Sequence, residues 1–113
     1  MNDVVTVERR GPVAVVSVNE PPVNAMSAAM RAGLLKAFTE LQGQDIGAVL
    51  LTAAGRTFIA GADLREFDSG VEPPAYYDVF AVIENFAKPV VVALHGTALG
   101  AGVEVAQIGR AHV

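Results

Sequence analysis

Two short stretches of the sequence set small, uncovered backbone beside an acid where a helix should begin. The first is Ala60-Gly61-Ala62-Asp63. The second is Leu99-Gly100-Ala101-Gly102, with Glu104 two residues further on. Glycine adopts backbone angles that other residues avoid, and alanine leaves its amide open to approach. A helix N-terminus presents free N–H groups and the positive end of its dipole. Two such amides converging on one point would form an oxyanion hole, and a carboxylate beside it could move a proton. Each stretch alone is more often an ordinary strand-to-helix turn. Glu104 alone reads equally as a solvated or helix-capping acid.

Other chemistries fail on spacing. Gly100-x-Gly102 lacks the third glycine of a dinucleotide fingerprint, because that position is Val105, and there is no phosphate-binding G-x-x-x-x-G-K-[ST] loop. Ser17 and Ser27 sit in no nucleophile-elbow context. His95 and His112 have no partners at ligand spacing, so no metal is expected, and His95 reads as a satisfied structural histidine.

Those stretches need elements to hold them. The β-branched runs 4–8 and 13–18, separated by Arg9-Arg10-Gly11-Pro12, predict a hairpin. Ser27 is a good N-cap, and Met30, Leu34, Phe38 and Leu41 recur at helical spacing, which predicts an amphipathic helix over 28–42. The wholly apolar 47–53 predicts a strand buried on both faces. Residues 54–67 read as a loop region ending in a short helix over 64–67 that Asp63 would cap. Tyr76, Val79, Phe80, Ile83 and Phe86 give a second helix its apolar face. Lys88-Pro89 ends that helix, and 90–94 is a further buried strand. Strands alternating with helices argue for an α/β architecture in a single domain.

Composition narrows the function classes. The 113 residues are 52% hydrophobic and 18% charged, enough apolar material for a packed core. A net charge of −4 with no basic stripe argues against nucleic acid as a partner. No cysteine is present, which removes disulfides and thiolate metal sites from consideration. The N-terminal run has acids and no long apolar segment, unlike a signal peptide, so a cytoplasmic, bacterial-type setting is expected. The apolar stretch 89–106 contains a G-x-x-x-G but barely reaches spanning length and carries an acid, so no membrane span is expected.

Taken in order, "PPVNAMS", "FIAGADLREF" and "KPVVVALHGTALGAGVEVA" resemble the crotonase (enoyl-CoA hydratase/isomerase) superfamily, over residues 4 to about 107. The wording is most similar to the hydratase/isomerase end of multifunctional fatty-acid-oxidation proteins. The resemblance implies an α/β, crotonase-like spiral of repeated β-β-α units, with only its N-terminal portion here, and a parent that is a homotrimer or part of a multifunctional complex. It implies an acyl-CoA substrate and no cofactor beyond that coenzyme A thioester. It assigns the oxyanion hole to the amides of Ala62 and Ala101, the latter a departure from the usual glycine. Ala60, Asp63 and Leu64 fall where the family wraps the adenine end of CoA, Val23 and Ala25 along the pantetheine path, and Gly61 and Gly100 beside the two amides as further CoA-binding positions. Glu104 matches the first of the hydratase's two catalytic glutamates, and the second would lie about twenty residues further on.

On that resemblance we expect a fragment of an enoyl-CoA hydratase/isomerase of fatty-acid β-oxidation, itself inactive. Residues 1–107 would be the N-terminal portion of the crotonase-like domain. Residues 108–113 are expected to be a non-native tail, because 107–113 can be encoded by a string resembling read-through into a sequencing adapter. A non-catalytic acyl-CoA-binding or assembly module remains the alternative, as does another crotonase-fold chemistry such as a thioesterase, decarboxylase or dehalogenase.

Overall fold

The structure is a computed structural model that describes residues 4–98 together with 105, 107, 111 and 112. Strands β1 (Val5–Arg10) and β2 (Val13–Val18) form the hairpin, in antiparallel register from Val5 opposite Val18 to Arg10 opposite Val13. Gly11, at φ +59°, makes the tight turn, and β1 runs two residues beyond its predicted end. Next in chain order come the two-residue β3 (Ala25–Met26), α1 (Ala28–Leu41) and β4 (Ala48–Ala53). β4 lies parallel to β2, with Val16 opposite Leu51. The hairpin followed by α1 is one β-β-α unit.

Ser27 caps α1 by accepting the N–H of Met30 at 3.1 Å. Met30, Leu34, Phe38 and Leu41 are all buried, as their spacing predicts. They face alternate residues of the sheet, Ala14, Val16 and Val18 on β2 and Val49, Leu51 and Ala53 on β4, all buried.

Four further elements connect β4 to its next neighbour: β5 (Thr57–Ile59), β6 (Gly61–Ala62), α2 (Glu66–Ser69) and α3 (Tyr76–Glu84). β7 (Val90–Val92) then returns parallel to β4. β8 (Thr97–Ala98) pairs with β5, and β9 (Ala111–His112) pairs with β7. The main sheet has the order β1-β2-β4-β7-β9, and two small parallel pairs, β3-β6 and β5-β8, stand beside it. Val79 and Ile83 bury the inner face of α3, and the rings of Phe38 and Phe86 meet edge to face at 5.5 Å.

Three expectations need correction. The strand at 47–53 is not buried on both faces: Val49, Leu51 and Ala53 are buried, while Ala48, Leu50 and Thr52 are half-buried. The strand at 90–94 stops at Val92, and Leu94 is exposed. The loop region 54–67 contains β5 and β6, two- and three-residue strands too short to display a period.

Candidate functional site

β6 places Ala62 in parallel register with Met26 of β3, and Gly61 with Ala25. Gly61 has φ +125°, a conformation that a side chain would strain. The strand is therefore held by its neighbours and by one asparagine. Asn24 is 3% exposed and sits at φ +55°. Its Oδ1 accepts the N–H of Glu20 at 2.7 Å, and its Nδ2 donates to the carbonyls of Ala54 at 2.9 Å and Thr57 at 2.7 Å. Its own carbonyl accepts the N–H of Ala60 at 3.3 Å. This asparagine ties the "PPVNAMS" turn to the segment that leads into Gly61.

A cavity of about 440 Å³ opens against this backbone, lined by Val23, Ala25, Ala60, Gly61, Ala62, Asp63, Leu64 and Arg65. The structure thus brings together all seven described residues that the sequence places along a CoA path, and adds Arg65. Val23 and Leu64 are large exposed apolar side chains at 43% and 70% exposure, suited to cover a flat or flexible ligand. Gly100, Ala101 and Glu104 lie outside the described residues, as does the segment 108–110. Val105 and Gln107 are helical, and Val105 is fully buried.

Asp63 does not cap a helix over 64–67. The helix begins at Glu66, and Arg65 occupies its N-cap position without a side-chain bond. The Asp63 carboxylate is drawn instead to Arg65: Oδ1 accepts the backbone N–H at 3.1 Å and Nε at 2.9 Å, and Oδ2 accepts Nη2 at 2.7 Å. These bonds hold the Asp63 carboxyl below the usual carboxylate range, chiefly through the Arg65 guanidinium. Asp63 therefore stays ionised and is a poor proton donor, while Arg65 brings a mostly exposed cation to the cavity rim.

A second polar arrangement lies behind the cavity wall. Arg31 on α1 is fully buried. Its five N–H groups are all used. Nε donates to the Pro74 carbonyl at 2.8 Å, Nη1 to the Met26 carbonyl at 2.8 Å and Glu66 Oε1 at 2.7 Å, and Nη2 to Glu66 Oε2 and the Glu72 carbonyl at 2.8 Å each. Glu66 Oε2 also accepts the Glu72 N–H at 2.9 Å. The Arg31 bonds hold the Glu66 carboxyl below its ordinary value, and the carboxylate raises the guanidinium's in return.

The sequence reading missed Arg31, Glu66, Asn24 and Arg65. A signal existed for Arg31: it stands one heptad before Phe38, on the inward stripe of α1, where an arginine needs an acidic partner. His95 is satisfied through Nε2, which donates to the Gly55 carbonyl at 2.8 Å. Among the described residues no group of three His, Cys, Asp or Glu could hold a metal ion, and no helix is long and apolar enough to cross a membrane. A larger cavity of about 610 Å³, lined by Ala32, Leu35, Lys36, Pro73, Pro74 and neighbours, contains none of the glycine-alanine backbone.

Comparison with known proteins identifies the family and the fold. The profile of the enoyl-CoA hydratase/isomerase family matches residues 8–109. A peroxisomal bifunctional enzyme of Danio rerio is 37% identical over 97 residues, which cover 85% of this chain and 14% of that protein. A probable enoyl-CoA hydratase of Mycobacterium tuberculosis is 38% identical over 102 residues, 83% of this chain and 40% of the relative. The Pseudomonas aeruginosa protein DspI superposes with a TM-score of 0.88 at 30% identity, over 97% of this chain and 45% of its own. A probable enoyl-CoA hydratase/isomerase of Mycobacterium abscessus superposes at 0.86 with 31% identity, over 100% and 46%. The chain thus spans less than half the length of each of these relatives.

Proposed function

The chain belongs to the enoyl-CoA hydratase/isomerase family, and we propose that it supplies the CoA-binding wall and oxyanion hole of an enzyme that hydrates 2-trans-enoyl-CoA to 3-hydroxyacyl-CoA in fatty-acid β-oxidation. The observation that carries this is the cavity of about 440 Å³, where Val23, Ala25 and 60–64 converge although the sequence separates them by more than thirty residues. The crotonase-like fold and the bifunctional relative from Danio rerio support it.

In this reading the pantetheine arm passes Val23 and Ala25, and the adenine end rests on Ala60, Asp63 and Leu64. The thioester oxygen meets the amides of Ala62 and Ala101. Attack of water at C3 moves an electron pair onto that oxygen, and the two fixed N–H dipoles stabilise the enolate. One such donor is worth about 3 to 4 kcal/mol. Glu104 takes the proton from the attacking water. A second acid returns a proton to C2, and no cofactor beyond the CoA thioester is invoked. Asp63, held ionised by Arg65, orders the turn and does not deliver that proton. A trimer or multifunctional assembly and a cytoplasmic setting belong to the same proposal.

Calorimetric titration with crotonyl-CoA tests the reading. The 113 residues should bind it, and Ala60→Glu, which fills the cavity with an acid, should abolish binding. Leu64→Asp, at an exposed position, should weaken it without disturbing the fold. Binding that ignores both variants overturns the assignment. On their own the 113 residues, with a single candidate catalytic acid, should bind without enzyme-like turnover. Rapid loss of the enoyl-thioester absorbance would overturn that part. Wherever hydration is observed in the family, Glu104→Gln at this position should remove it while leaving acyl-CoA binding intact.

A further inference from the structure

The segment that carries Ala62 has little structure of its own. β6 is two residues long, α2 is four, and a helix so short is marginal by itself. Yet an amide that must meet a developing oxyanion has to be placed within a few tenths of an ångström. What fixes it lies outside the cavity. Arg31 grips three places: the Met26 carbonyl beside Ala62 in the β3-β6 pair, the Glu66 carboxylate at the start of α2, and the 72–74 carbonyls.

Tyr76 completes the linkage. The Arg31 guanidinium stands 4.4 Å over its ring. The Tyr76 hydroxyl donates to the same Met26 carbonyl at 3.2 Å and accepts the Asp63 N–H at 3.3 Å. The peptide that follows Ala62 is thereby pinned to the residue that pairs with Ala62. The strand partner of Ala62 and the segment that follows it are thus referenced to one buried cation.

We propose that Arg31 is a positioning residue which, through Tyr76 and Glu66, sets the Ala62 amide for the thioester oxygen. The inference rests on the acyl-CoA reading above. It assigns to the buried network a task beyond stability, since its members touch no substrate themselves. A displacement of about 1 Å in such a site can cost on the order of a hundredfold in rate.

The test uses the 113-residue chain and trans-cinnamoyl-CoA, whose absorption band moves to longer wavelength when its thioester oxygen accepts hydrogen bonds. Tyr76→Phe keeps the ring under the guanidinium and removes only the hydroxyl. Arg31→Lys keeps the charge opposite Glu66 and loses the fork. Val16→Ala, a truncation in the β2 core, lowers stability away from the network. Melting curves accompany each variant. The band shift should fall by about half or more in Tyr76→Phe, and its preference for cinnamoyl-CoA over CoA by about fivefold, the loss expected of one ordinary hydrogen bond. CoA, which has no thioester oxygen, should bind as before. Arg31→Lys, where it folds, should lose the shift likewise, while Val16→Ala should melt earlier and keep it.

An undiminished shift in Tyr76→Phe overturns the inference and leaves the acyl-CoA reading standing. So does an equal loss in Val16→Ala at matched stability. If the unmutated protein neither binds cinnamoyl-CoA nor shifts its band, the functional reading fails and this inference falls with it.

Discussion

Replacing Arg31 with methionine removes five hydrogen bonds together and leaves a carboxylate buried without its cation. The side chain is fully buried, and in the variant Glu66 would keep only the Glu72 N–H at 2.9 Å. Breaking a buried pair in this way costs about 3–5 kcal/mol. For a chain of 113 residues, total stability is of order 6–17 kcal/mol at about 0.05–0.15 per residue. Arg31→Met should therefore forfeit a large share of it. Glu66→Leu should be comparably costly, because it leaves the guanidinium buried without its carboxylate. The double variant removes both charges and leaves mainly the Pro74 and Glu72 carbonyls unpaired, a cost of about 1–3 kcal/mol. The two single losses should then exceed the double by about 3 kcal/mol or more. Urea unfolding followed by far-ultraviolet circular dichroism gives all four corners of the cycle. Salt should change the coupling little, since the pair is largely buried. An additive cycle, or a loss under about 1 kcal/mol in Arg31→Met, would refute the reasoning.

The same pair makes stability depend on pH. The folded-state value of Glu66 is depressed, so its contribution is complete above the unfolded value of about 4.3 and is lost as pH falls through the folded one. Urea midpoints should be level from neutral pH to about 5 and then decline, and the decline should be shallower in Glu66→Gln. Gly96→Ala should cost about 3 kcal/mol or more in a thermal melt, because its Cβ would stand 1.7 Å from the Arg56 carbonyl oxygen at a φ of +59°. Asn24→Ala should cost about 2–4 kcal/mol, since it orphans the Glu20 N–H and the Ala54 and Thr57 carbonyls. A midpoint unchanged in either variant would contradict the contacts described.

The elements that repeat a period were legible before the structure. Met30, Leu34, Phe38 and Leu41 mark α1 because helical spacing puts them on one face, and Ser27 announces its start. The hairpin was legible because two β-branched runs flank a glycine turn. What escaped has no period to read. β3, β5 and β6 are two or three residues long and exist because distant segments pair with them. The burial of only one face of β4 depends on tertiary packing, which composition does not encode.

At the candidate site, the small residues of "FIAGADLREF" could be singled out because their backbone is exposed for contact. Their supports could not. Asp63 looked like a cap because acids cap helices, but Arg65 two residues later competes for the same oxygen atoms. Arg31 and Glu66 are thirty-five residues apart, and only the tertiary fold brings them to 2.7 Å.

The central claim is that the backbone from Ala60 to Leu64 holds an acyl-CoA with its thioester at Ala62. Titration of ¹⁵N-labelled protein with crotonyl-CoA tests it most directly. The amide signals of Val23, Ala25 and 60–64 should move together, with Ala62 displaced furthest downfield as its N–H meets the thioester oxygen. The signals of Leu35, Lys36 and Thr39, beside the larger cavity, should stay where they are. Shifts confined to that second cavity, or an Ala62 amide that does not move at saturating ligand, would contradict the account.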